Sequence, residues 1–316
     1  MQRSLTAITV AVLGLAAPAA SLGQEQPAAP AESATPATQP SAPVRVVPAA
    51  KPKPAPASTP APATSQPFRQ PHVFFSPTAY ILPAAAVQAG AGVDTGGALQ
   101  GQIAVGLGDV AEFGVAGTNL VRARQVDGKV AQLPPYVFAS FKMGVGEESM
   151  FRYQPAIALG FRKSFEHSAD ERKSRLAEMF VEASKEIGSF MTLHAGASFW
   201  DASLAKASGE EVTLHGRSSA RQQLRPFGGV ELRALPRAQV MAEVFWMPEF
   251  RYVADAADEV ELRPQLAWGV RYELRSWGQI EAGVRVPDIA DVNLLDAQIF
   301  GQLRVQTTRL RQAVGL

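Results

Sequence analysis

The chain has 316 residues, 30 basic against 29 acidic side chains, a formal charge of +1, and no cysteine. That balance gives no electrostatic basis for nucleic-acid binding or a polybasic membrane patch, and the missing thiols exclude disulfides, cysteine metal sites and a thiol-linked lipid anchor.

Residues 1–23 read as a secretory signal, with Arg3 as the positive start, an apolar run over residues 5–20, and Ser21, Leu22 and Gly23 before the cleavage point at Gln24. The run is short and Ala-rich for a membrane anchor. Beyond it, no stretch approaches the roughly 18 consecutive apolar residues of a membrane helix, so any further place in a membrane requires a barrel. Residues 24–71 are built from Ala, Pro, Ser, Thr and Gln. Such a segment cannot bury enough surface to fold and is expected to be a disordered, polyproline-leaning spacer, reaching on the order of 150 Å when extended at about 3.1 Å per residue. Its one apolar cluster, residues 44–47, reads as spacer rather than docking strand, while Lys51 and Lys53 between prolines suggest a periplasmic or cell-wall partner.

From Phe74 onward, apolar and polar residues alternate with a period of two, the mark of half-buried strands. Strands are expected over residues 84–93, 99–107, 111–124, 136–145, 150–165, 176–186, 190–200, 222–233, 238–246, 260–274, 279–286 and 294–305. Asp127 and Gly128 give a hairpin signal after the third. Residues 168–187 also satisfy a helical capping box and helical spacing. A strand is favoured there because Ala177, Met179, Val181 and Ala183 alternate with Glu178, Phe180, Glu182 and Ser184. The clearest pattern runs over residues 259–286, a long hairpin with one greasy and one charged face.

Connections after the even-numbered strands are tight, at residues 108–109, 146–149, 187–189, 234–237 and 275–276; those after the odd-numbered strands are longer, apart from residues 94–98. Alternating short and long turns around an even number of antiparallel strands is the pattern of outer-membrane barrels, with short turns periplasmic. The strands are long enough to cross a bilayer when tilted. Trp200 and Trp246 lie toward the long loops, and Tyr272 and Trp277 toward the short turns, as two interfacial girdles would. The greasy face is therefore expected to meet lipid.

The charged face is then the lumen. Its expected lining is Glu112, Lys142, Arg152, Arg162, Glu178, Glu182, His194, Arg225, Glu231, Arg233, Glu243, Glu261, Arg263, Arg271, Glu273, Glu281, Arg285, Asp296 and Arg304. The two signs are equal in number. A strongly ion-selective pore would carry an excess of one. Balanced charge fits a cross-strand ion-pair ladder in a narrow barrel, and twelve strands leave less room than an open porin.

The run from Val105 to Gly114 resembles the strand, Gly-x-x-Asp turn and returning strand of Gram-negative outer-membrane β-barrels, a porin-like family without one defined function. Residues 184–196 resemble another such hairpin. The resemblance spans residues 84–305 and implies contact with outer-membrane lipids and insertion by the outer-membrane assembly machinery. Such barrels usually finish on an aromatic-ended strand, whereas this chain continues past Val305 into a short tail.

Of the four histidines, His72 sits at the linker edge and His167 and His215 in loops. Only His194 lies on a strand, with Ser198 about 13 Å along it, too far for a Ser–His pair. No metal spacing, phosphate loop or separate acid pair appears, so no catalytic residue, metal or cofactor is assigned.

The sequence thus predicts an all-β, antiparallel up-and-down transmembrane β-barrel of twelve strands over residues 72–316, in the outer membrane, behind a signal peptide and a Pro/Ala-rich periplasmic linker. The function expected is a narrow channel or transport-associated barrel, not an enzyme. The alternatives are a non-conducting structural barrel in an envelope-spanning machine for secretion or gliding motility, and a soluble periplasmic β-barrel or sandwich binding protein.

Overall fold

The structure is a computed structural model that describes residues 69–307, apart from 170, 207, 210, 215–223, 254–257, 276 and 291–295. The expected signal peptide, most of the linker, His215 and the C-terminal tail lie outside the described residues.

Twelve strands form the wall: β1 (Val87–Asp94), β2 (Leu99–Leu107), β3 (Ala111–Thr118), β6 (Tyr136–Val145), β7 (Ala156–Ser164), β9 (Arg172–Ile187), β10 (Met191–Lys206), β12 (Leu224–Leu235), β13 (Ala238–Arg251), β14 (Glu259–Arg275), β15 (Gly278–Val286) and β16 (Gln298–Gln306). Four three-residue strands decorate the loops: β4 (Arg122–Arg124), β5 (Val130–Gln132), β8 (His167–Ala169) and β11 (Glu211–Thr213). Each wall strand pairs antiparallel with its neighbours in chain order, and β16 returns to β1, with Ala89 opposite Val305 and Val93 opposite Gly301. Closure leaves the wall without a free edge, the condition for backbone to cross lipid as strands.

The pleat sorts side chains by face. On β9, Glu178, Phe180, Glu182 and Ser184 are buried, while Met179 and Val181 between them are half exposed. The same inversion runs around the wall: Ile103, Phe113, Phe141, Leu159, Val270 and Leu303 point out, and Gln88, Glu112, Lys142, Arg271, Glu281 and Arg304 point in. A soluble barrel shows the opposite sorting. The alternation on β9 outweighs its local helical signals because a helix would leave β7 and β10 unpaired, whereas the strand matches both.

Several expected boundaries move: β1 starts at Val87 rather than residue 84, β9 at Arg172 rather than residue 176, and β10 and β13 run on to Lys206 and Arg251 rather than stopping at residues 200 and 246. The strand anticipated from residue 150 begins at Ala156, because Glu148 and Tyr153 take left-handed φ values of 56° and 67° and Gln154 ties the turn together through Glu148 N, Met150 N and Phe151 O. The tight turn anticipated at residues 146–149 is thus longer. The third strand stops at Thr118: the Asn119 side chain bonds Leu99 N and Gly97 O, and the chain then folds as β4 and β5 around the anticipated Asp127–Gly128 turn. The last strand starts at Gln298 rather than at residue 294.

β4 runs parallel to the upper part of β13, Arg122 opposite Glu249 and Arg124 opposite Arg251, and both arginines bind the Glu249 carboxylate. At this long-loop end Leu120, Val121, Leu133, Leu204, Leu214 and Phe250 join an apolar cluster with Val260 and Leu262. The last two were expected on the lipid face; they are buried as members of this cluster.

Candidate functional site

The lumen is occupied by the chain itself. Residues 70–82 enter between the short turns, pass into the barrel and leave on the same side. At the entrance Arg69 pairs with Glu186 at 3.1 Å, and near the exit Ala84 N is bonded by the turn residue Asp109. Gln70 donates to Gln279 at 2.6 Å and accepts from Gln88 at 2.7 Å. Burial first, then the Glu147 carboxylate 2.9 Å from its hydroxyl, push the Tyr80 phenol above its usual range.

This plug contains Pro71 and Pro77 and forms one isolated bridge, His72 to Pro77. Most of its backbone polar groups have no partner within the segment, and buried backbone must be paired. The charged wall supplies the partners. Glu243 accepts from Phe75 N at 2.8 Å, Ser76 N at 3.0 Å and Ser76 Oγ at 2.6 Å. Arg271 donates to His72 O at 2.9 Å and Val73 O at 2.6 Å. Lys142 donates to Tyr80 O, Thr78 O and Pro71 O at 2.8, 3.1 and 3.3 Å, and Arg304 to Phe74 O at 2.8 Å. Glu112 accepts from Leu82 N at 3.0 Å. Each charge-assisted bond contributes about 1.5–3 kcal/mol. At the tip, Phe74 and Phe75 pack on Phe300, and Phe75 stacks on Phe245 at 5.3 Å.

The wall charges also pair among themselves. Arg271 binds Glu281 at 2.7 Å and Glu231 at 3.0 Å, Arg304 reaches Glu281 at 3.3 Å, and Lys142 binds Glu112 at 3.0 Å. Arg162 pairs with Glu178 and lies over the Trp200 ring. Arg285 joins Asp94 at 2.5 Å. Glu182 is buried with neither carboxylate oxygen hydrogen-bonded. His194 Nδ1 is 2.8 Å from Ser184 Oγ, and its Nε2 is 3.8 Å from Glu231. That serine, not Ser198, is the cross-strand neighbour, and its hydroxyl also accepts from Ala79 N of the plug at 2.9 Å.

Other expected lining residues sit at the ends. Arg233 donates to Ser189 O at the short-turn rim, Arg225 lies over the Trp246 ring, and Arg263 binds Glu261 and Asp288 toward the long loops. Glu273 is half-buried near the short turns, where its N–H bonds Arg237 O. Arg152 does not reach the lumen: it is exposed in the turn before β7, its guanidinium on the Tyr153 ring. Asp296 is exposed in the loop before β16. Trp200, expected at the lipid interface, is 1% exposed inside the barrel, because the neighbouring Phe199 takes the outward position. Trp246 is half-buried with its indole N–H on Pro226 O, Tyr272 faces outward, and Trp277 sits in the β14–β15 turn.

The plug was missed by the sequence reading, which ended the linker at Pro71 and ran the barrel onward from there. Its signal is the stretch from Gln70 to Pro83: too apolar for the spacer before it, free of alternation, and punctuated by three prolines.

Fold and site together define an outer-membrane-type β-barrel with an occluded lumen. No family model matches the chain. No curated protein matches it either. Among solved structures it is similar to the NanC porin (TM-score 0.42, 10% identity, 69% of this chain and 98% of that one) and to the KdgM porin in complex with disordered oligogalacturonate (0.39, 8%, 70% and 97%). It is also similar to outer membrane phospholipase A from Escherichia coli (0.37, 10%, 72% and 91%). The likeness is one of barrel architecture, shared by porins and an enzyme alike.

Proposed function

We propose that the protein is an outer-membrane transport barrel held closed by its own N-terminal segment, residues 70–82. The observation that carries this reading is the chemistry of the plug's seat: Glu243, Arg271, Lys142 and Arg304 hold its backbone through polar contacts. Water can replace such contacts when the segment leaves, so the empty wall remains compatible with an aqueous lumen. The charged residues are then the gate seat of a narrow channel, and the short-turn side, where residues 69 and 70 enter, is where a partner acts on the plug.

A second reading, a non-conducting barrel in an envelope-spanning assembly, draws on the apolar packing of Trp200, Phe138, Met247 and Phe250 in the long-loop half. Planar-bilayer recording separates the two. The full chain is expected to be mostly silent, and a chain lacking residues 70–82 to show discrete conductance steps. A plug-deleted barrel that inserts, shifts mobility on heating and stays silent favours the structural role.

A further inference from the structure

Between the plug tip and the β1–β3 side of the wall lies a cavity of about 120 Å³. It exists because the inward positions there are small: Gly90, Ala104, Gly114 and Ala116. A Cβ added at Gly90 would meet only ordinary contacts, at 3.4 Å from Arg304 and 3.5 Å from Gln102. Facing these positions are rings, those of Phe74 and Phe75 from the plug and of Phe138, Phe180 and Trp200 from the wall. A dry cavity of about 150 Å³ accommodates one benzene ring, so this slightly smaller space takes a single ring when its lining side chains yield a little.

Most charged side chains of the lining are basic, though each is paired: Lys142 with Glu112, Arg162 with Glu178 and Arg304 with Glu281. The one acid of the lining, Glu112, is already engaged by Lys142 Nζ and Leu82 N, each at 3.0 Å. Trp200 Nε1, Gln302 Nε2 and both Nε and Nη1 of Arg304 are buried without a partner. All four are N–H donors on residues that line the cavity. Orphaned buried donors call for an acceptor. A ring-lined space whose surplus donors include two guanidinium N–H groups of Arg304 suits a carboxylate on a flat apolar body.

We propose that this cavity is a binding site for a small monocyclic aromatic carboxylate, with the ring among Phe138, Phe180 and Trp200 and the carboxylate toward Arg304 and Gln302. The site deepens the channel reading by naming a cargo class, and rests on it only in calling the ligand cargo. Phe74 and Phe75 form part of the lining, so plug and ligand share one surface.

Equilibrium dialysis of the full-length protein in nonionic micelles against radiolabelled benzoate reads the site directly. One saturable site per chain is expected, with benzyl alcohol (the ring without the charge) and butyrate (the charge without the ring) each competing at least about tenfold less well. Ala116→Leu fills the space and should abolish binding, while Arg304→Gln should weaken it about tenfold. Each variant is scored only as a heat-modifiable barrel, and Ser140→Leu replaces Ala116→Leu if that chain does not fold. No saturable binding, or binding undiminished by the cavity-filling change, overturns the site; benzyl alcohol competing as well as benzoate overturns the anionic class. Dialysis needs no open pore, so saturable benzoate on an electrically silent barrel keeps the site and removes the channel.

Discussion

Arg271 is the residue on which most of the lumen converges. Its guanidinium bonds two wall carboxylates, Glu231 and Glu281, and two plug carbonyls, those of His72 and Val73. It is 2% exposed, and Glu281 and Glu231 are 0% and 8% exposed, so water does little to compensate these groups when the guanidinium is lost. Arg271→Met removes the charge and keeps much of the volume, leaving Glu231 without its arginine and Glu281 with only Arg304, at 3.3 Å. Breaking a buried pair on one side costs about 3–5 kcal/mol. The midpoint of urea unfolding in micelles should fall accordingly, and Arg233→Met at the short-turn rim should leave it nearly unchanged. The alternation that put Arg271 inward was legible in the sequence; its plug partners were not, because they belong to a segment 199 and 198 positions away in the chain.

At the scale of elements, the wall strands were legible because lipid on one face and charge on the other enforce a period of two. That pressure fades where the wall leaves the bilayer. Val260 and Leu262 continue the lipid-face pattern of β14 yet are buried, and Trp200 sits inside because its outward neighbour, Phe199, carries the same apolar character. Strands of three residues such as β4 carry too few alternations to read. The β9–β10 ladder and the start of β14 meet through Asp258, which accepts from Arg172 Nε at 2.8 Å and Val253 N at 3.0 Å and lies 3.6 Å from Lys206. Burial alone would raise the carboxyl's pKa; the hydrogen bonds from Arg172 and Val253 N and the nearby cations outweigh it, and the net shift is downward. A depressed folded-state pKa contributes stability that is present above the unfolded value, about 3.9, and is lost as pH falls through the folded value. Asp258→Asn should therefore lower the thermal midpoint at pH 6, and its difference from the parent should shrink progressively as the pH falls below about 3.9.

For the molecule as a whole, the charged lumen read from sequence suggested a cross-strand ion-pair ladder in a narrow barrel. In the structure much of that charge faces a strand-less segment of the same chain, so an even balance of signs accompanies an occupied barrel. Alternation cannot reveal an occupant, because the plug has none; the composition break between the Pro/Ala-rich spacer and β1 is the trace it leaves. The central claim is that this segment closes a pore, and the absence of native cysteine makes it testable without background. Ala79 N and Ser184 Oγ stand 2.9 Å apart across the plug–wall boundary, so an Ala79→Cys, Ser184→Cys pair can tether plug to wall. Single-channel recording of that double variant, oxidised and then reduced, is the most direct measurement. A silent oxidised barrel is predicted, with the infrequent openings of the untethered full chain appearing only after reduction. Equal conductance in the two states, with the cross-link confirmed on a gel, would contradict the claim.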